Sequence, residues 1–148
     1  MTVALFGHKD TPFGIKKDLL ALLTLLIEER DATVFYVGTH GNFDSTAQTC
    51  LKELKIRYPH IRPVTVLAYL PENSSLRPKT EESVFPEEVA AAPRRFALHR
   101  RLQWMVSHCD GIVCYASAPV GNAAKFRALA ERKGLPLWNL AESPPKFR

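Results

Sequence analysis

The 148-residue sequence has few cysteines, few glycines and no long apolar run. Its three cysteines, Cys50, Cys109 and Cys114, form no CxxC pair, and their odd number leaves at least one thiol unpaired. This pattern argues against a disulfide framework and against a zinc site, and it favours reduced, buried thiols. The seven glycines form neither a GxGxxG nor a Walker A motif, so both common phosphate-binding signatures are absent.

The sequence has no segment typical of a leader peptide or a membrane span. The apolar run at residues 3–6 is short and no basic region precedes it. The most apolar stretch, residues 19–27, is flanked by charges and is far shorter than the roughly 20 residues that a spanning helix needs. We therefore expect a cytoplasmic protein that makes no membrane contact.

Length and composition are those of one globular domain. Hydrophobic residues make up 46% and charged residues 24% of the chain, which is an ordinary balance for a folded protein. One hydrophobic core suits this length, so we expect a single domain over residues 1–148. The net charge of +5 permits an anionic partner without identifying it, because a phosphorylated small ligand, a nucleic acid and plain solubility are all compatible with it.

Short apolar runs alternate with longer helical patterns along the chain. The runs that predict strands are residues 3–6, 33–37, 64–70, 111–115 and 137–140, and helices are expected over residues 15–30, 43–54, from Arg94 onwards and over residues 122–133. This alternation predicts an α/β fold, a Rossmann-like three-layer sandwich with a parallel five-stranded sheet in the order 3-2-1-4-5. The first helix is rich in leucine beyond one stripe, which is typical of deep burial or of a homodimer interface.

Residues 71–93 interrupt the alternation with a long Pro-rich loop. Four prolines at positions 71, 78, 86 and 93 punctuate a polar stretch. So long a connection predicts a functional loop, a lid or a mobile segment, and the sequence does not distinguish them. The prolines at positions 144 and 145 are expected to end the fold.

Three turns are expected to converge at the carboxyl edge of the sheet. They are residues 7–10, 38–42 and 116–122, which follow the first, second and fourth predicted strands. Ligands of open parallel sheets bind beyond the carboxyl ends of the strands, at the switch point that we place between strands one and four. The candidate ligand- or phosphate-binding residues are Gly7, His8, Lys9, Gly38, Thr39, His40, Gly41, Asp44, Arg94, Arg95, Ser117, Gly121 and Asn122.

The turn at Gly121 and Asn122 is the preferred phosphate cradle, because it opens a helix whose N-terminus favours an anion. The alternative is that these glycines only permit tight turns. Arg94 and Arg95, with His99, are expected at the same edge, where guanidinium forks suit phosphate. Of the neighbouring pair at positions 100 and 101, at least one arginine should face solvent, and a solvated helix face is the alternative for the whole basic cluster.

His8 and His40 follow neighbouring strands and lie close in sequence to Asp10 and Asp44. Such a group can form a metal site, an acid–base pair or a set of polar loop residues that hydrogen-bond a ligand. The spacing matches no metal motif, so we expect no metal and assign no catalytic residue.

Several short patterns resemble the SLOG (SMF/DprA–LOG) superfamily, and within it the YpsA-like and YoqJ-like bacterial proteins. Residues 101–115, RLQWMVSHCDGIVCY, resemble the RNxxMxxxsDxlI segment of that group. Residues 3–8 resemble its tGHR start, residues 38–44 its GGAxGxD turn, and residues 121–137 its GGTxxxvxyAxxxgkxi ending. Lys9 stands where the group has arginine, and Thr39 where it has glycine.

The resemblance implies a Rossmann-like fold with a pocket for nucleotides or their derivatives. One branch, the LOG phosphoribohydrolases, cleaves nucleoside monophosphates with a PGGxGTxxE motif. Residues 119–127 read PVGNAAKFR here, so the acidic residue is missing and Val120 replaces the first glycine. Because that reaction needs a carboxylate for proton transfer, the departure argues against the hydrolase activity.

The expected function is therefore non-catalytic binding or sensing of a nucleotide or nucleotide-derived phosphorylated ligand. No cofactor is required, although a nucleotide can be bound. One alternative is a nucleotide-processing enzyme that hydrolyses an N-glycosidic or phosphate bond, with His8, Asp10, Asp44 or His40 supplying the proton transfers. Another is DprA-like binding of single-stranded nucleic acid, which is less favoured because aromatic residues are not visibly interleaved with the basic cluster.

Overall fold

The sheet has six strands, and all of its pairings are parallel. The computed structural model describes residues 1–70, 80–117 and 121–142. The strands are β1 (Thr2–Gly7), β2 (Val34–Val37), β3 (Arg62–Val66), β4 (Glu82–Val84), β5 (Gly111–Tyr115) and β6 (Leu137–Asn139). They lie in the order β4-β3-β2-β1-β5-β6, so the predicted three-layer α/β architecture with a parallel sheet is confirmed.

Helices cover both faces of this sheet. They are α1 (Lys16–Arg30), α2 (Gly41–Arg57), α3 (Glu87–Ala90), α4 (Ala97–Ser107) and α5 (Asn122–Arg132), with short 3-10 turns at Phe13–Ile15 and Arg94–Phe96. Along β1, Val3 and Leu5 belong to the core under α1 and α2, while Ala4 and Phe6 belong to the core under α4 and α5. The alternation of side chains along a strand therefore divides the interior into two layers.

The predicted five-stranded sheet in the order 3-2-1-4-5 was wrong by one strand. The additional strand, β4, comes from the segment taken as a loop and pairs with β3, with Val64 opposite Glu82 and Val66 opposite Val84. Its three residues, ESV, contain one apolar side chain. An edge strand of this length needs no apolar run because it has one neighbour and little burial, so its sequence carries no apolar pattern that predicts a strand. The five predicted strands keep their expected order relative to one another.

The rest of the Pro-rich segment is partly helical. Within residues 71–93, the structure places β4 and then α3, and the 3-10 turn that leads into α4 begins at the next residue, Arg94. The expectations for residues 71–79 and for the prolines at positions 144 and 145 lie outside the described residues. Within the described part of the chain, no helix is both long enough and apolar enough to cross a bilayer.

Candidate functional site

A cleft of about 310 Å³ lies at the carboxyl end of β1. The strands on either side of β1 lead into helices on opposite faces of the sheet, α2 after β2 and α5 after β5. This is the switch point at which the sequence placed the site. The cleft is lined by Phe6, Gly7, His8, Lys9, Asp10, His40, Asp44, Leu98, Arg101, Leu102, Gly121 and Ala123.

A buried ion pair forms one wall of the cleft. Asp44 in the first turn of α2 faces Arg101 of α4, with Oδ2 and Nη2 separated by 3.5 Å and the two side chains 5% and 6% exposed. Burial raises the pKa of Asp44, although Arg101 and the His40 N–H oppose this shift. Burial likewise lowers the pKa of Arg101, which Asp44 opposes. A guanidinium stays protonated in proteins, so the pair carries a cation that is compensated by one carboxylate.

The hydrogen bonds of His40 define its tautomer. Its Nδ1 lies 3.3 Å from Arg101 Nη1 and 3.3 Å from Thr39 Oγ1. Because arginine can only donate, Nδ1 must accept, and the proton of the neutral ring belongs on Nε2. Burial, followed by the charge of Arg101, lowers the pKa of His40. The ring therefore enters the cleft neutral at pH 7, with Nε2–H as its donor.

Gly38 makes the ion pair sterically possible. A Cβ at this position would lie 2.5 Å from Asp44 Oδ2 and 2.6 Å from Arg101 Cζ. The Gly38 carbonyl accepts a hydrogen bond of 3.0 Å from Gln48 Nε2, which also donates to Thr65 Oγ1 at 3.1 Å. The end of β2 is thus fixed beneath the pair by a buried polar contact.

Backbone contacts join the loops around the cleft. Ser117 N–H, after β5, donates to His8 Nε2 at 3.0 Å, so the loops that follow β1 and β5 meet through the His8 ring. Asn42 N–H donates to Lys9 O at 2.7 Å. Gly41 has a φ of +91°, and a Cβ there would lie 2.5 Å from Lys9 Cα, so this approach of the β1 loop to α2 requires glycine.

The structure brings six of the sequence-predicted residues into the lining of the cleft: Gly7, His8, Lys9, His40, Asp44 and Gly121. Gly38, Thr39, Gly41 and Ser117 lie next to it through the contacts described above. Asn122 begins α5, and residues 118–120 of the third turn lie outside the described part of the chain. The binding roles of all these residues stay predictions.

The two predicted phosphate-binding arginines do not line the cleft. Both are exposed. The Arg94 guanidinium lies 5.0 Å above the ring of Tyr69, and that of Arg95 lies 4.8 Å above Phe96. His99 packs on Phe126, with ring centroids 5.1 Å apart. The helix begins at Ala97 rather than at Arg94, and the preceding 3-10 turn leaves both guanidinium groups on neighbouring aromatic rings.

Sequence reasoning missed Arg101 as a site residue. It assigned one of the two neighbouring arginines to solvent, and Arg100 is indeed exposed. A signal for the other was present, because Arg101 lies three positions after Leu98 and four before Met105, on the buried stripe of α4. A charged residue on an apolar stripe predicts a buried partner, and Asp44 is that partner.

Hydrogen-bond donors surround the cleft, alongside the exposed carboxylate of Asp10. Arg101 Nε is buried without an acceptor among the described residues, and Lys9 is an exposed cation at the rim. The N-terminus of α5 adds backbone N–H groups beside Gly121 that have no acceptor within the helix itself. Among the described residues, no three His, Cys, Asp or Glu side chains gather as a metal site. The arrangement suits an anion.

Comparison with known proteins identifies the fold. No family model and no curated protein sequence matches this chain. Among solved structures, DNA processing protein A (DprA) from Streptococcus pneumoniae matches 92% of the chain with a TM-score of 0.67 and 14% identity. A structure of DNA processing protein A from Helicobacter pylori, described for its single-stranded DNA binding mode, matches 93% with a TM-score of 0.65 and 14% identity.

These matches establish a shared fold. The chain spans 48% of the Streptococcus protein and 63% of the Helicobacter protein, so it corresponds to part of each. The neighbours are DprA proteins, which is consistent with the resemblance to the SLOG superfamily. The narrower likeness to YpsA-like and YoqJ-like proteins stays a prediction.

Proposed function

We propose that this chain binds single-stranded nucleic acid at the carboxyl edge of its sheet, with one nucleotide unit in the cleft at the end of β1. The observation that carries the proposal is the cleft itself. Lys9, the Arg101 guanidinium and the N-terminus of α5 meet there beside the carboxylates of Asp10 and Asp44, and the first three groups favour a phosphate.

The size of the cleft supports a single nucleotide unit as its occupant. A volume of about 310 Å³ is at the lower end of the roughly 300–1,000 Å³ typical of small-molecule sites. The remainder of a bound strand would have to run over the surface. The shared fold with the Helicobacter DprA, whose structure is described for single-stranded DNA binding, favours this over the small-molecule reading expected from the sequence.

A free nucleotide is the second candidate, because the cleft can hold one without further contacts. A hydrolytic role is less favoured. The Asp44 carboxylate is already held by Arg101 and by the His40 N–H, so it is poorly placed to act as a general base.

The test compares the affinity of the chain for a fluorescent thymidylate oligonucleotide of ten residues with its affinity for thymidine monophosphate. Anisotropy and calorimetry measure both affinities over a series of salt concentrations. We expect tighter binding of the oligonucleotide and a loss of affinity as salt rises, with a slope of about −0.7 per phosphate contact. Lys9→Ala should weaken binding several-fold and reduce the slope, whereas Lys133→Ala, an exposed lysine beyond α5, should not. Equal affinity for both ligands would favour the free nucleotide, and no binding of either would refute the proposal.

A further inference from the structure

Three exposed residues and one half-buried tyrosine beside the cleft form a surface of alternating rings and guanidinium groups, which we call the aromatic ledge: Tyr69, Arg94, Arg95 and Phe96. Tyr69 lies in the segment after β3, and the other three form the 3-10 turn before α4. Because α4 leads into β5, its first turn lies at the carboxyl edge of the sheet. The ledge therefore shares this edge with the cleft.

Direct contacts connect the ledge to the cleft. The ring of His40, which lines the cleft, meets the ring of Tyr69 edge-on, with centroids 5.6 Å apart at 71°. The Tyr69 hydroxyl donates to Arg94 O at 3.1 Å, and the Arg94 guanidinium covers the Tyr69 ring. Leu98, two residues beyond Phe96, lines the cleft again. The ledge is thus held in a defined position at the rim.

The outer end of the ledge is exposed. Phe96 is 46% exposed although Arg95 lies against its ring. Leu70, next to Tyr69, is 67% exposed and lines a shallow hollow of about 250 Å³ together with Arg94 and Ala97. Two aromatic rings, a hollow with both polar and apolar lining atoms, and two guanidinium groups consequently lie at the same edge of the molecule.

We propose that the aromatic ledge is a stacking track for the bases that flank the nucleotide unit in the cleft. The inference rests on the proposed function and names the surface along which the strand leaves the site. Aromatic faces stack bases of any sequence, while arginine both stacks on rings and pairs with phosphate. The interleaving of aromatic and basic residues that the sequence did not show arises in three dimensions, because Tyr69 comes from a different part of the chain.

The charge and shape of the ledge select a nucleic acid strand as its occupant. An acidic peptide would satisfy the two guanidinium groups, but it has no flat rings to cover Phe96. A free mononucleotide carries one base, and with its base and phosphate in the cleft it leaves none to cover Phe96, which is not part of the cleft lining. A single strand offers bases and phosphates at regular intervals, which matches alternating rings and cations.

The experiment measures how the binding affinity of the full chain depends on the length of the ligand. Wild type, Phe96→Ala, Phe96→Tyr and Phe13→Ala are titrated with thymidine monophosphate and with the ten-residue thymidylate. Phe13 is a matched control because it is an exposed phenylalanine, at 62%, in the turn that leads into α1. Circular dichroism confirms that each variant is folded.

We expect Phe96→Ala to lose about tenfold in affinity for the oligonucleotide and to bind the monophosphate like wild type. Phe96→Tyr and Phe13→Ala should match wild type for both ligands. If wild type binds the oligonucleotide and Phe96→Ala binds it equally well, the track is refuted and the proposed function survives. If wild type fails to bind the oligonucleotide, the stacking track and the proposed function are both refuted. If a polyglutamate peptide binds with the same dependence on Phe96, the surface is a peptide site and the proposal is overturned.

Discussion

The Asp44–Arg101 pair determines much of the behaviour of the site at the scale of single residues. Among the described residues these are the two charged side chains that are buried. Removing both from water carries a large desolvation cost, which their attraction and the His40 N–H offset only while both partners are present. Such a pair specifies the geometry of the wall more than it adds stability.

Asp44→Asn should lower the free energy of unfolding by about 3–5 kcal/mol, because it leaves a buried guanidinium without a counter-charge. The double variant Asp44→Asn with Arg101→Met should recover part of this loss, since no charge then remains buried. Urea denaturation of the four proteins of this cycle measures the coupling. A double variant whose loss equals the sum of the single losses would contradict this account of the pair.

Gly38→Ala should lower the free energy of unfolding by about 1–3 kcal/mol, because its Cβ has to displace the buried pair. Gly14→Ala is the control, since a Cβ at that position meets no atom within 4 Å. Thermal denaturation of both variants checks the prediction. Equal melting temperatures of the Gly38→Ala and Gly14→Ala variants would show that the buried ion pair accommodates the added methyl group without loss of stability.

His40 should make stability depend on pH. Its pKa is lowered in the folded state from the ordinary 6.5, so the unfolded chain binds the proton more readily. Its contribution is complete above pH 6.5 and is lost as the pH falls through the folded pKa. His40→Asn, whose amide oxygen can replace Nδ1 as acceptor, should lose less stability than wild type between about pH 7 and pH 5. A free energy of unfolding that changes with pH by the same amount in both proteins would contradict this.

At the scale of elements, the site is built from loops that neighbouring strands hold in position. Asn139 of β6 is the clearest example. Its Oδ1 accepts from Ala116 N–H and Ala141 N–H at 3.0 Å each, and its Nδ2 donates to Ala116 O at 3.1 Å. The side chain thereby fixes the residue before Ser117, whose N–H reaches the His8 ring.

Asn139→Leu should cost about 1–3 kcal/mol, because it leaves the buried polar groups of Ala116 without partners. Hydrogen exchange should also accelerate at Ser117, which loses its positioning. Glu142→Gln is the control in the same region: its partly exposed ion pair with Arg127 should contribute less than about 1 kcal/mol. An unchanged hydrogen-exchange rate at the Ser117 amide would show that Asn139 does not position this residue beside the cleft.

At the scale of the whole molecule, the parallel sheet collects these parts at one edge. Every strand ends in the same direction, so turns distant in sequence meet around β1. The net charge of +5 adds a favourable long-range field for a polyanion, and this field weakens as salt screens it.

Binding should therefore stabilise the fold in a salt-dependent manner. Ten-residue thymidylate at about 100 times its Kd should add about 2.7 kcal/mol to the free energy of unfolding. The gain should shrink strongly in about 1 M salt, where the Debye length is near 3 Å. Differential scanning fluorimetry at two salt concentrations measures both values. A gain that does not change with salt would indicate binding without phosphate contacts.

The periodicity of the sequence was sufficient to predict the five main strands, the helices between them and the edge at which the cleft lies. It failed for β4, because ESV carries little apolar signal and pairs only at the sheet edge. It also predicted that Arg94 approaches the cleft, which this residue does not line, and it overlooked Arg101, which does line it. Both residues belong to one basic cluster in the sequence, and only the start of α4 at Ala97 decides which side chain turns inward.

The sequence by itself determined the layered α/β plan, because apolar runs and helical stripes depend on neighbours along the chain. Tertiary structure decided the chemistry of the edge. The partnership of Asp44 with Arg101 joins α2 to α4, and the stacking of Arg94 on Tyr69 joins the turn before α4 to the segment after β3. Such contacts depend on the packing of distant segments, which local patterns do not encode.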